Sequence, residues 1–210
     1  MLSGSAGRRK RERGQGLVEF SLVLPAFLML LLIMLEFGLA FNHKLTIGYA
    51  TREGARTGSA LASGGVTDCS GGNDPSGVDN QIIAAVQRIL KSPGSDVNMN
   101  KITQIRIYQA DSAGAQIGSN VNTWVYTPGA GPDADPDAGV DLLDFSPTSV
   151  AWPACVRSNT SPNPDSVGVR ILYDYDLQTP LRSLVMFVGG SQAATLSFTD
   201  QTIMALNPTG

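Results

Sequence analysis

Five aspartates crowd one stretch of the chain. Asp133, Asp135, Asp137, Asp141 and Asp144 stand at relative positions 1, 3, 5, 9 and 12, the oxygen-ligand spacing of a calcium loop. The stretch departs from that pattern in three ways: Gly139 comes at position 7 instead of 6, Pro136 stiffens position 4, and the last ligand is Asp instead of the longer Glu. A weak Ca²⁺ site and a solvated acidic loop both remain open, and nothing else in the chain requires a cofactor. Asp174 and Asp176 point to one side of a strand, but hydrolysis needs a cleft that spacing alone does not supply. Serines are plentiful, yet the one histidine, His43, falls near the apolar N-terminal segment, so no Ser/His triad can be built in the rest of the chain. His43 is expected to hold an interfacial surface position. The residue types point to a structural protein and not to an enzyme.

The remaining chemistry-bearing group is Glu19, just inside an apolar segment. Phe20 to Leu35 is sixteen residues without a charge, broken only by Ser21 and Pro25, and the apolar character extends over about residues 17–41. At about 1.5 Å per residue such a helix can cross a hydrocarbon core of roughly 30 Å. An isolated carboxylate there costs several kcal/mol by order of magnitude, so Glu19 needs a partner. Before it, Arg8, Arg9, Lys10, Arg11 and Arg13 stand against the single acid Glu12, and positive charge beside an apolar span keeps that end in the cytoplasm. The C-terminal part is then expected on the exported side.

The elements that must carry these groups can be read from periodicity. The long helix is predicted over 15–62, with Phe37, Phe41 and Leu45 at four-residue spacing and the small residues Gly48, Ala55 and Ser59 letting a sheet pack close. Glu53 and Arg56 fall side by side at i,i+3. Gly64-Gly65 is predicted to end the helix and open a polar loop through Cys69 to Ser76. A second helix is predicted over Val78 to Leu90, and strands over Ile102 to Tyr108, Val121 to Tyr126, Val167 to Tyr175 and Ala193 to Leu206. The Val167 to Tyr175 strand is the clearest, with Val167, Val169, Ile171, Tyr173 and Tyr175 on one face. Asp111 to Gly118 is predicted as a turn region, residues 128–139 and 158–166 as loops, and Leu184 to Val188 as a buried or membrane-proximal loop. The fold class is α+β: a long membrane-spanning N-terminal helix packed on an antiparallel sheet, with 63–210 forming one exported soluble domain.

Charge and cysteine count narrow the partners. The chain carries 15 basic and 18 acidic residues; once the five basic residues and one acid of residues 1–14 are set aside, ten basic and seventeen acidic groups remain. A net charge of −7 on residues 15–210 argues against nucleic acid as partner. Cys69 and Cys155 both fall beyond the membrane segment, where an isolated pair most simply forms one disulfide, with two free thiols as the alternative.

The run Gly14-Gln15-Gly16-Leu17-Val18-Glu19-Phe20, then Leu24-Pro25, Glu36-Phe37-Gly38 and Ala50-Thr51-Arg52-Glu53-Gly54-Ala55-Arg56 resembles the TadE-like proteins of the tight-adherence (Tad) type IV pilus system. The resemblance covers the first sixty residues; the C-terminal pattern is similar but less specific, and 65–165 carries no motif of its own. It implies a pilin-like fold and a role as pseudopilin or minor pilin in pilus assembly or initiation. Residues 1–14 would be a leader that a prepilin peptidase removes between Gly14 and Gln15, and Glu19 would pair with the new α-amino group of a subunit. The implied partners are the membrane, the peptidase, other pilins or pseudopilins and the Tad assembly machinery. The implied location is a bacterial inner membrane with the N-terminus cytoplasmic, with incorporation into a pilus left open. Two alternatives stay open: an uncut single-pass anchor carrying an extracytoplasmic binding domain unrelated to pili, and a secreted adhesive domain released by signal peptidase near Gly38-Leu39-Ala40.

Overall fold

A computed structural model of the chain describes residues 8–63, 69, 77–134, 141–190 and 194–207. It divides into two compact units, Met1–Ala40 with Asp176–Thr195, and Phe41–Tyr175 with Leu196–Gly210. The expected α+β class holds: a long N-terminal helix accompanies a five-stranded antiparallel sheet.

Helix α1 runs Arg8–Leu61, 54 residues, with Pro25 inside it. Leu, Met, Ala and Phe dominate its first half, and these residues keep helical geometry while leaving an apolar surface that water cannot satisfy. Its most apolar 18-residue window has a mean hydropathy of 2.5, and none of that window is buried by the protein. A bilayer is the solvent that such a surface fits. The helix ends where Ala62 turns left-handed at φ 51°, its amide still bonded to the Gly58 carbonyl at 3.0 Å. The expected terminator Gly64-Gly65 lies outside the described residues, as does most of the loop through Ser76.

In the first unit, Pro180 opens a nine-residue helix α3, Leu181–Gly189. Here the structure corrects the expectation of a buried or membrane-proximal loop over Leu184 to Val188: the segment is helical and not buried. Leu181, Leu184, Val185 and Val188 recur at i, i+3, i+4 and i+7, which is helical spacing, and no residue of α3 is buried. Phe187 is 89% exposed and Val188 79%.

The second unit is built on a sheet of order β3-β2-β1-β4-β5, with β1 Ile102–Ala110, β2 Gln116–Tyr126, β3 Phe145–Val150, β4 Ser166–Asp176 and β5 Thr195–Ala205. β1 pairs antiparallel with β2, Ile105 facing Trp124, and with β4, Ile107 facing Val169. The odd-numbered residues of β4 are all buried and meet the second half of α1 and helix α2, Val78–Leu90. Close approach is possible because Gly54 and Gly58 present no side chain. A Cβ on Gly54 would lie 2.6 Å from Val86 Cγ2 and 3.3 Å from Val169 Cγ1, and one on Gly58 3.0 Å from Ile82 Cδ1.

The strands depart from expectation chiefly at β2 and β3. β2 begins at Gln116, which shortens the turn to Asp111–Ala115; Asp111 closes it by accepting the Ala113 and Ala115 amides at 2.9 and 2.8 Å. β3 was not expected, because Phe-Ser-Pro-Thr-Ser-Val is polar and contains Pro147. It is an edge strand, the place where a residue without an N–H does least harm to a ladder.

Candidate functional site

The N-terminal turns of α1 hold the first candidate group. Gly14, Gln15 and Glu19 are all exposed, and the Gln15 side-chain amide donates to Glu19 Oε1 at 3.0 Å, one helical turn away. Among the described residues, nothing lies within 4 Å of where a Cβ would sit on Gly14, Gly16 or Gly38. Unlike Gly54 and Gly58, these three glycines are not there to make room for a neighbour in the chain. A glycine inside a helix costs roughly 0.5–1 kcal/mol relative to alanine, so positions 14 and 16 weaken the helix where the basic segment ends.

A second carboxylate of the helix has a role that sequence reasoning missed. Glu36 follows the uncharged run and is only 4% exposed. Its Oε1 accepts the Gln178 amide at 2.9 Å and its Oε2 the Thr179 amide at 2.8 Å. Both oxygens therefore engage backbone donors of the segment that leads into α3. A carboxylate hydrogen-bonded in this way is satisfied in an apolar setting that would otherwise penalise it. The sequence signal was the placement of an acid at the end of an apolar run; its partners lie more than 140 residues away.

His43 is corrected from an interfacial surface residue to a core one. It is buried, its Nδ1 lies 3.0 Å from the Tyr173 hydroxyl, and its ring meets Tyr175 edge-on at 5.0 Å between centroids. The alternation of β4 puts both tyrosines on the face that receives α1, so the histidine finds polar and aromatic partners there.

The second unit contains a buried polar cluster that the sequence did not announce. Arg157 donates to Asp79 Oδ1 at 2.5 Å and to the Trp152 carbonyl at 3.1 Å, while Asn122 donates to Asp79 Oδ2 at 2.6 Å. The Arg157 guanidinium also sits 4.5 Å from the Trp152 ring centroid. Cys155, two residues before Arg157, is joined to Cys69 in a disulfide with Cα atoms 5.5 Å apart. Asp79 opens α2, Asn122 lies in β2 and Arg157 in the loop before β4, so the cluster fastens three elements.

The aspartate stretch is only partly described: Asp135 and Asp137 lie outside the described residues. Of the others, Asp133 Oδ1 accepts the Asp141 amide at 3.3 Å. Asp144 pairs with Lys91 and accepts the Gly129 amide at 2.8 Å. Burial alone would raise the Asp144 carboxyl, but the Lys91 ammonium and the Gly129 amide outweigh it and hold the group below its ordinary value. Among the described residues no three His, Cys, Asp or Glu side chains gather where one metal ion could be held.

A shallow cleft of about 150 Å³ is lined by Lys44, Leu45, Gly48, Tyr49, Arg52 and Asp200, with Lys44 and Asp200 3.8 Å apart. It is smaller than the roughly 300–1,000 Å³ of small-molecule sites.

Residues 14–56 match a family model, that of the TadE-like protein. No curated protein and no solved structure gives a significant match to the chain.

Proposed function

Residues 14–56 are TadE-like, and from that premise we propose that the chain is a pseudopilin or minor pilin of a Tad-type pilus. A prepilin peptidase cuts it between Gly14 and Gln15, and the mature protein serves in assembling or initiating the filament. Pilus association is what the family carries, and it is a structural family rather than an enzymatic one.

The observation that carries the reading is the coincidence of boundaries at Gly14. There the family match starts, the basic segment Arg8 to Arg13 has just ended, and the helix holds a glycine that no packing demands. Glycine at 14 and again at 16 loosens the first turns, which supports local opening of the backbone for a peptidase. Cutting there would create an α-amino group on Gln15, whose side chain already lies against Glu19. A new positive charge one turn from an exposed carboxylate, or on a neighbouring subunit in the membrane, gives Glu19 the partner that its place in an apolar segment requires. The basic segment supports an N-terminus held in the cytoplasm and a sheet domain exported across the inner membrane, and the Cys69–Cys155 disulfide suits an oxidising exported compartment.

Intact mass of the protein extracted from membranes of cells with an active prepilin peptidase tests the reading. The expected mass is that of residues 15–210, and Gly14→Val leaves the full chain. A wild-type protein that retains residues 1–14 in such cells overturns it.

A further inference from the structure

We propose that helix α3 lies in the surface of the same bilayer that α1 crosses, its apolar face in the lipid headgroup boundary. The protein would then hold the membrane at two points instead of one. The inference rests on reading the apolar part of α1 as a membrane span.

Four observations converge on lipid as the occupant of this face. First, α3 is amphipathic: Leu181, Leu184, Val185 and Val188 share one face with Phe187 at its edge between Leu184 and Ser183, whereas Arg182 and Ser183 fall on the other side with Met186 between them. Second, Leu184, Phe187 and Val188 are exposed, Phe187 and Val188 most of all, while Leu181 and Val185 are half-buried. Third, its level is set by Glu36. The hydrogen bonds from the Gln178 and Thr179 amides tie the start of α3 to the residue at which the uncharged run Phe20 to Leu35 stops. From Leu17 to Glu36 the helix rises about 28 Å at 1.5 Å per residue, close to the roughly 30 Å of a hydrocarbon core. Glu36 therefore marks the far boundary of the bilayer, and α3 begins there. Fourth, Phe37 is exposed on α1 directly after Glu36, so apolar surface on the membrane helix continues to the level at which α3 starts. Helix α3 and the apolar part of α1 belong to one compact unit. An interfacial helix sinks about 5–10 Å into the boundary between headgroups and acyl chains, with its cationic and polar residues toward water. Arg182, 4.0 Å from Asp176, is the charged group on the polar side.

Tryptophan fluorescence of the full chain in lipid nanodiscs tests this. Phe187→Trp is compared with wild type, so that the emission of Trp124 and Trp152, both buried, cancels. Val188→Trp reads the same helix should the first variant fold poorly, and Phe27→Trp, in the middle of the apolar run, reports on the span itself. The expected result is a blue-shifted added emission for Phe187→Trp that brominated lipid quenches, more strongly with bromine near the headgroups than deep in the chains. Quenching for Phe27→Trp with none for the α3 variants overturns the proposal and leaves the span standing. Absence of quenching at all three positions overturns both. A blue shift that lipid bromine does not quench and that grows with protein concentration assigns the face to a second copy of the chain, and also overturns the proposal.

Discussion

Glu36 accepts a hydrogen bond from the Thr179 amide at 2.8 Å across 143 residues of sequence. The contact gives the acid at the end of the apolar run a structural task, since it fixes the start of α3 to the membrane helix. It also gives that carboxylate a reason to exist apart from any cleavage near Gly38-Leu39-Ala40.

Glu36→Gln keeps the size of the side chain but turns an amide donor toward two backbone donors. One buried N–H then loses its acceptor, at about 1–3 kcal/mol. Hydrogen exchange checks this: at least one of the Gln178 and Thr179 amides is expected to exchange about 5- to 150-fold faster, at a factor of ten per 1.4 kcal/mol. Unchanged exchange at both would show that the carboxylate does not hold this segment.

Gly54→Ala and Gly38→Ala separate glycines that pack from glycines that do not. A Cβ at 54 has to displace the stiff side chain of Val86, and overpacking of this kind costs about 1–3 kcal/mol, partly offset by better helix propensity. A Cβ at 38 meets nothing within 4 Å. The melting temperature in detergent is expected to fall for the first and to hold or rise for the second.

Removing one partner of the Asp79–Arg157 pair leaves a buried charge uncompensated. Asp79→Ala is expected to destabilise by about 3–5 kcal/mol, and the Asp79→Ala, Arg157→Met double variant by less. A double-mutant cycle from urea unfolding measures the coupling; strict additivity would mean that the two groups do not communicate.

Asp144 sets an acid limit. Its folded-state value is depressed below the ordinary 3.8, so its contribution is present at neutral pH and is lost as pH falls below 3.8 and through the folded value. Lys91→Met removes the ammonium that lowers it. The gap in melting temperature between wild type and variant is therefore expected to be open at pH 7 and to narrow toward pH 3. A gap that stays constant across this range would assign the loss to packing and not to charge.

Glu19→Gln separates membrane insertion from assembly. The variant is expected to fractionate with membranes as wild type does, because the apolar run is untouched, while pilus formation counted by electron microscopy drops sharply. Normal piliation would leave Glu19 as a bystander to assembly.

Several elements were legible because their signals are local. The 3.6-residue recurrence of Ile82, Ile83, Val86 and Leu90 gave α2 its true bounds, and the two-residue alternation of β4 identified the face that α1 and α2 cover. The apolar run of α1 and the motif beginning at Gly14 are likewise contiguous, which is why the resemblance over residues 14–56 could be read from the N-terminal part alone. What escaped depends on partners distant in the chain. β3 pairs through Pro147 only because β2 offers it an edge, and His43 is buried only because β4 turns Tyr173 and Tyr175 toward it. α3 reads from sequence as a buried or membrane-proximal loop because nine residues carry too short a run to separate helix from loop by periodicity, and its exposure depends on what the rest of the chain leaves uncovered. The sequence by itself determined where apolar surface must face lipid or core, since that follows from residue type and period. Only the tertiary structure decided which polar groups would be satisfied by one another. Glu36 with Gln178 and Thr179, and Asp79 with Arg157, are pairings imposed by the cost of burying a charge alone, and nothing local to either residue encodes its partner.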